Sequence, residues 1–132
     1  MADAVATQVL HESASDLVVK LTNISDGTGE SGVTKVDVSA LTPACTDLRL
    51  EEIIYSTVGM AVELLWDASS AVFAWGLPQD RSGRVNFRHM GMAGFLPNNG
   101  GAGKTGDLKL STIGATSGDT YSIILVLAKI GA

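Results

Sequence analysis

Side chains able to do chemistry are few in this sequence, and their spacing matches no catalytic pattern. Any Ser-His-Asp or Cys-His mechanism must use His11 or His89, the two histidines, and neither has a Gly-x-Ser-x-Gly nucleophile elbow. Cys45 is the sole cysteine, so an intrachain disulfide cannot form and one subunit cannot build a thiolate metal cage. It reads as a small buried hydrophobe. Gly101-Ala-Gly-Lys-Thr105 resembles part of a phosphate-binding loop, but that loop needs Gly-x-x-x-x-Gly-Lys-Ser/Thr before a helix. Asn98 stands where its first glycine belongs, and a strand pattern follows.

Asp26-Gly-Thr-Gly-Glu30 places two carboxylates in a glycine-rich turn. A helix-loop-helix calcium site would need glycine where Ser31 stands, so the segment reads as a solvated turn, with a weak irregular cation site at Asp26 and Glu30 left open. Glu51 and Glu52 are neighbours on a strand and point to opposite faces, so they cannot act as a glycosidase pair; one exposed and one rim carboxylate are expected. Trp66, Trp75, Tyr55 and Tyr121 could stack on sugar, although packing in a core or interface is the commoner use of such rings. The expectation from these residues is a protein that is not an enzyme and carries no cofactor and no metal.

The elements around them are strands. Fifteen glycines, with β-branched residues clustered between them, point to short strands joined by tight turns. Residues 16–24 alternate apolar Leu17, Val19 and Leu21 with Lys20 and Thr22, the period of a half-buried strand. Residues 33–38 predict a second strand with Val36 and Val38 inward, and 47–56 a third whose phase breaks at Glu51-Glu52, as at a β-bulge. Residues 59–66 favour helix by composition, but their length, opening Gly59 and closing Asp67 favour a strand. Strands are also predicted over 71–77, with Val72, Ala74 and Gly76 opposite Phe73 and Trp75, and over 84–87, 107–113 and 119–130. The last is apolar on both faces and should be covered on both. Thr105-Gly-Asp-Leu and Ser117-Gly-Asp-Thr are turn punctuation before strands rather than a repeat.

Eight or nine short strands without a convincing helix predict an all-β chain, a single β-sandwich or jelly-roll-like domain over residues 1–132. Residues 1–15 read as an extended N-terminal arm and 88–106 as a long loop rich in Gly, Met and Asn. Nine Lys plus Arg against fourteen Asp plus Glu leave a net charge of −5, which argues against free nucleic acid as partner. No apolar run reaches the ~18 residues of a membrane helix, and the opening residues lack the basic and apolar regions of a secretory signal. Only 17% of residues are charged, against about 25% in ordinary domains. Such a surface suits burial against neighbours. Between Phe87 and Leu96 the segment places Met90, Met92 and Phe95 where glycines preclude a regular strand, and these side chains need cover. Phe87, Met90, Met92, Phe95 and Leu96, with Val5, Val9 and Leu10 of the arm, form the expected docking surface; the strand from Tyr121 is a second candidate.

The run Leu21-Thr-Asn-Ile-Ser-Asp-Gly-Thr-Gly-Glu-Ser-Gly-Val-Thr-Lys-Val-Asp-Val38 is one of several that carry a family resemblance. The others are Ser56-Thr-Val-Gly-Met through Leu65-Trp-Asp67, Pro97-Asn-Asn, Ala102-Gly-Lys-Thr-Gly-Asp107 and Ser117-Gly-Asp-Thr-Tyr121. Together they resemble small virion proteins of tailed bacteriophages, of the head decoration or cement type. The resemblance spans about residues 21 to 124 and is a pattern of turns and strands, not a catalytic signature. It implies a homo-dimer or homo-trimer made in the bacterial host cytoplasm, sitting on the outer surface of the head and binding the major capsid protein. Two rivals keep the same architecture: a receptor- or glycan-binding module, and a neck or tail-completion protein.

Overall fold

Alternating apolar residues become strands throughout the chain. The computed structural model describes residues 4–87, 96–97 and 103–130. Its strands are β1 (Ala4–Glu12), β2 (Asp16–Asp26), β3 (Val33–Val36), β4 (Asp47–Val58), β5 (Ala61–Trp66), β6 (Val72–Leu77), β7 (Ser82–Asn86), β8 (Leu96–Pro97), β9 (Leu108–Ile113) and β10 (Ser117–Ile130), with a 3-10 turn at Val38–Ala40. One sheet runs β1-β2-β10-β4-β7, with the two-residue β8 beside β4, and the other runs β3-β9-β5-β6; all pairings among the described residues are antiparallel. After the β1–β2 hairpin the chain crosses between sheets at nearly every connection. This is jelly-roll winding, and the all-β sandwich expected from the sequence is what forms.

The core lies between the sheets. Leu17, Val19 and Leu21 of β2 and Ile123, Leu125 and Leu127 of β10 meet Val62, Leu64 and Trp66 of β5 and Leu108 and Leu110 of β9. The expected strand over 59–66 is present as β5, where Val62, Leu64 and Trp66 are buried and the residues between them half-buried. The phase break in β4 is a bulge: Glu52 faces Val126 while Leu50 faces Leu127, so Glu51 is the extra residue.

Three expectations are corrected. Residues 4–12 are not an arm: Val5, Thr7 and Val9 pair directly with Asn23, Leu21 and Val19 of β2. Val5 and Val9 are the apolar residues at its inward positions, and the small Ala4 and Ala6 beside them leave the alternation weak. In β6, Trp75 faces Leu64 and Phe73 faces Leu65, leaving Ala74 as a bulge residue, so the two aromatic residues expected on one face are split. In β10, Ile124, Val126 and Ala128 are only half-buried, shielded by flanking strands of their own sheet and not by a second layer among the described residues.

A buried ion pair closes the end of the sandwich where β1 stops. The Lys129 side chain is 0% exposed; its ammonium donates to Glu12 Oε2 at 2.9 Å and to the Pro43 carbonyl at 2.8 Å. Thr42 N–H donates to the same Oε2 at 2.7 Å. The Lys129 hydrogen bond first, and the Thr42 N–H second, hold the Glu12 carboxyl below the usual glutamate range. A carboxylate lowered in the folded state stabilises fully above its unfolded pKa, and that stabilisation is lost as pH falls through the folded value. Lys129→Met should therefore flatten the decline in stability on acidification from about pH 6 to about pH 3. Denaturant midpoints across that window check this; equal slopes in parent and variant would contradict the role given to the pair.

Candidate functional site

The loop between β2 and β3 is where a cation was conceivable, and its carboxylates are already engaged. Asp26 Oδ1 accepts from Thr28 N at 3.0 Å, a local turn. The Glu30 carboxylate turns into the sandwich. Its Oε2 meets Lys35 Nζ at 2.5 Å, and its Oε1 accepts from the Tyr121 hydroxyl at 2.6 Å and from Asn23 Nδ2 at 3.0 Å. Its backbone is fixed as well, Glu30 N–H donating to Thr112 Oγ1 at 2.8 Å and Thr112 N–H to the Glu30 carbonyl at 2.9 Å. A carboxylate so neutralised is a structural brace and not a cation ligand. Among the described residues, no three His, Cys, Asp or Glu side chains stand together as a metal site would need.

The other chemical candidates also have structural uses. Lys104 Nζ lies 3.2 Å from Asp47 Oδ2, and the Thr105 hydroxyl donates to Asp67 Oδ2 at 2.8 Å, so the residues resembling a phosphate loop face carboxylates. Asp67 also meets Lys109 Nζ at 2.9 Å, and these bonds, Lys109 first, hold its carboxyl below the ordinary range. Burial, reinforced by the Asp37 and Asp67 charges, pushes the Asp107 carboxyl up, while Val38 N–H opposes by donating to it at 2.9 Å. Burial also pushes the Cys45 thiol up, which keeps it protonated and unreactive. His11 is exposed on β1, and His89 lies outside the described residues. The exposed-and-rim expectation for Glu51 and Glu52 fails: Glu52 is buried and paired with Arg84, and Glu51 is half-buried. The bulge is what turns Glu52 towards the Arg84 strand.

The aromatic rings do not form a sugar platform. Trp66 and Tyr121 are in the core, and Trp75 meets Phe87 edge to face at 5.1 Å. The sequence did not single out Phe73. It is exposed on the outer face of β6, its ring lying over Gly76 at the edge of an apolar hollow of about 420 Å³ that also includes Ala61, Pro78 and Ile113.

The expected docking residues separate into three groups. Phe87 is 0% and Tyr121 2% exposed, so neither offers a contact surface; Phe87 is the partner of Trp75, and Tyr121 supports Glu30. Both are corrections: Phe87 of the expected loop surface and Tyr121 of the second candidate strand are in the core between the sheets. Met90, Met92 and Phe95 lie outside the described residues, and Leu96 pairs with Leu50 through β8. Val5, Val9 and Leu10 stand at 48%, 54% and 52% exposure on β1. The sequence reading passed over Ile24, Ile54 and Val58, exposed on the outer face of the larger sheet. The apolar residues at the polar phase of β2 and β4 were the available signal.

No protein-family model matches the chain, and no curated protein matches it significantly. Among solved structures it is similar to the crystal structure of a cupin superfamily protein from Desulfitobacterium hafniense, at 11% identity and a TM-score of 0.36 over 98% of this chain and 81% of that one.

Proposed function

We propose that this chain is a non-enzymatic structural protein of a tailed-bacteriophage virion, a decoration or cement protein of the head. In this reading it binds the major capsid protein and further copies of itself on the outer surface of the shell. The observation that carries the reading is the exposure of Val5, Val9 and Leu10 along β1, in a stretch from Ala4 to Leu10 without one charged residue. Ile24, Ile54 and Val58 add exposed apolar side chains on the opposite, outer face of the same sheet, and the family resemblance supplies the setting. The mechanism is adhesive. Two or more modest patches on each subunit engage together, and effective concentration turns them into strong attachment across capsomer seams. Burying that surface raises the free energy needed to part the shell. The glycan-binding rival loses support, since Trp66 is buried and Trp75 is paired with Phe87.

Copy number per purified particle, measured again on heads stripped of tails, tests the reading. Hundreds of copies remaining with tailless heads are expected. About a dozen or fewer would move the protein to the neck or tail, in keeping with the symmetry of such rings. Absence from particles would end the virion reading.

A further inference from the structure

We propose that β1 is a homotypic pairing strand: two copies of the chain join β1 to β1 antiparallel about a two-fold axis at Thr7, fusing their larger sheets. The inference deepens the self-binding part of the proposed function, and it stands on three observations of β1.

First, β1 is an edge that no other described element guards. One side pairs with β2 over the whole strand, and β1 ends the sheet order on the other side. Natural edge strands are protected by lysines, prolines, inward charges or short length. Between Ala4 and Leu10 this strand has no charge and no proline, and the bulge between Val9 and His11 comes only at its far end.

Second, its inward face is only partly covered among the described residues. Val5, Thr7 and Val9 sit opposite Asn23, Leu21 and Val19 of β2, and opposed residues in an antiparallel pair share a face. The β2 residues are buried, yet Val5 and Val9 are about half exposed. The smaller sheet therefore covers β2 and stops before β1. The overhang presents valines at an edge already offering unpaired backbone groups.

Third, the strand complements itself. About Thr7 the sequence Val5-Ala6-Thr7-Gln8-Val9 places Val5 opposite the second copy's Val9, Ala6 opposite Gln8 and Thr7 opposite Thr7. Both overhangs then lie on the same side, and four valines flank a threonine pair, a favourable cross-strand set. A slip of one residue would set inward against outward positions and turn one overhang away. Within Val5–Val9 no like charges meet. An isologous contact of this kind closes on itself and gives a dimer rather than a fibre.

Sedimentation velocity on the purified full-length chain tests the pairing. The wild type should run at twice the 13.7 kDa chain mass. Thr7→Lys sets two ammonium groups against each other on the axis, and Thr7→Glu sets two carboxylates; each should run as a folded monomer by circular dichroism, since Thr7 is exposed in the single chain. An equimolar mixture of the two should return to dimer, because the opposed charges now match. A monomeric wild type, a trimer, a Thr7→Lys dimer as tight as wild type, or a mixture that stays monomeric would each overturn the proposal. None of these results depends on particles, so the pairing and the virion reading fail separately.

Discussion

Glu30→Ala should destabilise the protein by about 3–5 kcal/mol, the range for removing one partner of a buried ion pair. The Lys35 and Glu30 side chains are only 4% and 6% exposed, so neither charge has water to fall back on. The same carboxylate accepts from Tyr121 of β10 and Asn23 of β2, so its loss also removes the acceptor of two further buried donors. Three strands of both sheets converge on one side chain in a loop. Pairing Glu30→Ala with Lys35→Met should recover a large part of the loss, because the cost comes from the stranded ammonium more than from the lost attraction. Urea unfolding of the two single variants and the double variant reads this directly. A Glu30→Ala cost below about 1 kcal/mol would place the pair in water after all, at the value of a surface ion pair.

This brace shows where sequence reading stopped. The strands β2 and β9 are legible because each alternates apolar and polar residues against a covered face, β5 because a short run is bounded by Gly59 and Asp67, β10 because its long apolar run is rich in Ile, Leu and Val, and β4 announces its bulge by a break in alternation. Glu30 offered no such sign. Its neighbours are glycine, serine and threonine, the composition of a solvated turn, and the residues that claim it are five, seven and ninety-one positions away. Long-range burial of a loop carboxylate cannot be read from local composition. The same limit misplaced Phe87 and Tyr121: their character marked them as adhesive, but only the packing of the second sheet decides whether a ring meets the core or a partner. Val5, Val9 and Leu10 are exposed because an edge strand has too few neighbours to hide them.

The twin Gly-Asp turns, alike in sequence, should respond differently to the same change. Gly106 has φ +90° and Gly118 φ +92°, so alanine at either enters the left-handed region at about 1–2 kcal/mol. At Gly118 nothing lies within 4 Å of an added Cβ, and Gly118→Ala should cost no more than that. At Gly106 the Cβ would stand 2.3 Å from the Thr46 carbonyl oxygen and 2.9 Å from its carbon. That backbone cannot easily withdraw, because Thr46 N–H and Thr46 Oγ1 both bond the Ile130 carbonyl, at 2.9 and 3.1 Å, where β10 ends. Gly106→Ala must therefore move either the entry to β9 or the start of β4, which carry Leu108 and Leu48 into the core. Its total cost should reach about 3 kcal/mol or more, in the range reserved for strain at a special backbone position. Chemical unfolding of both variants under one set of conditions decides the matter. Equal losses would mean that the close approach of Gly106 to Thr46 does not constrain the fold, and that the two turns are as interchangeable as their sequences suggest.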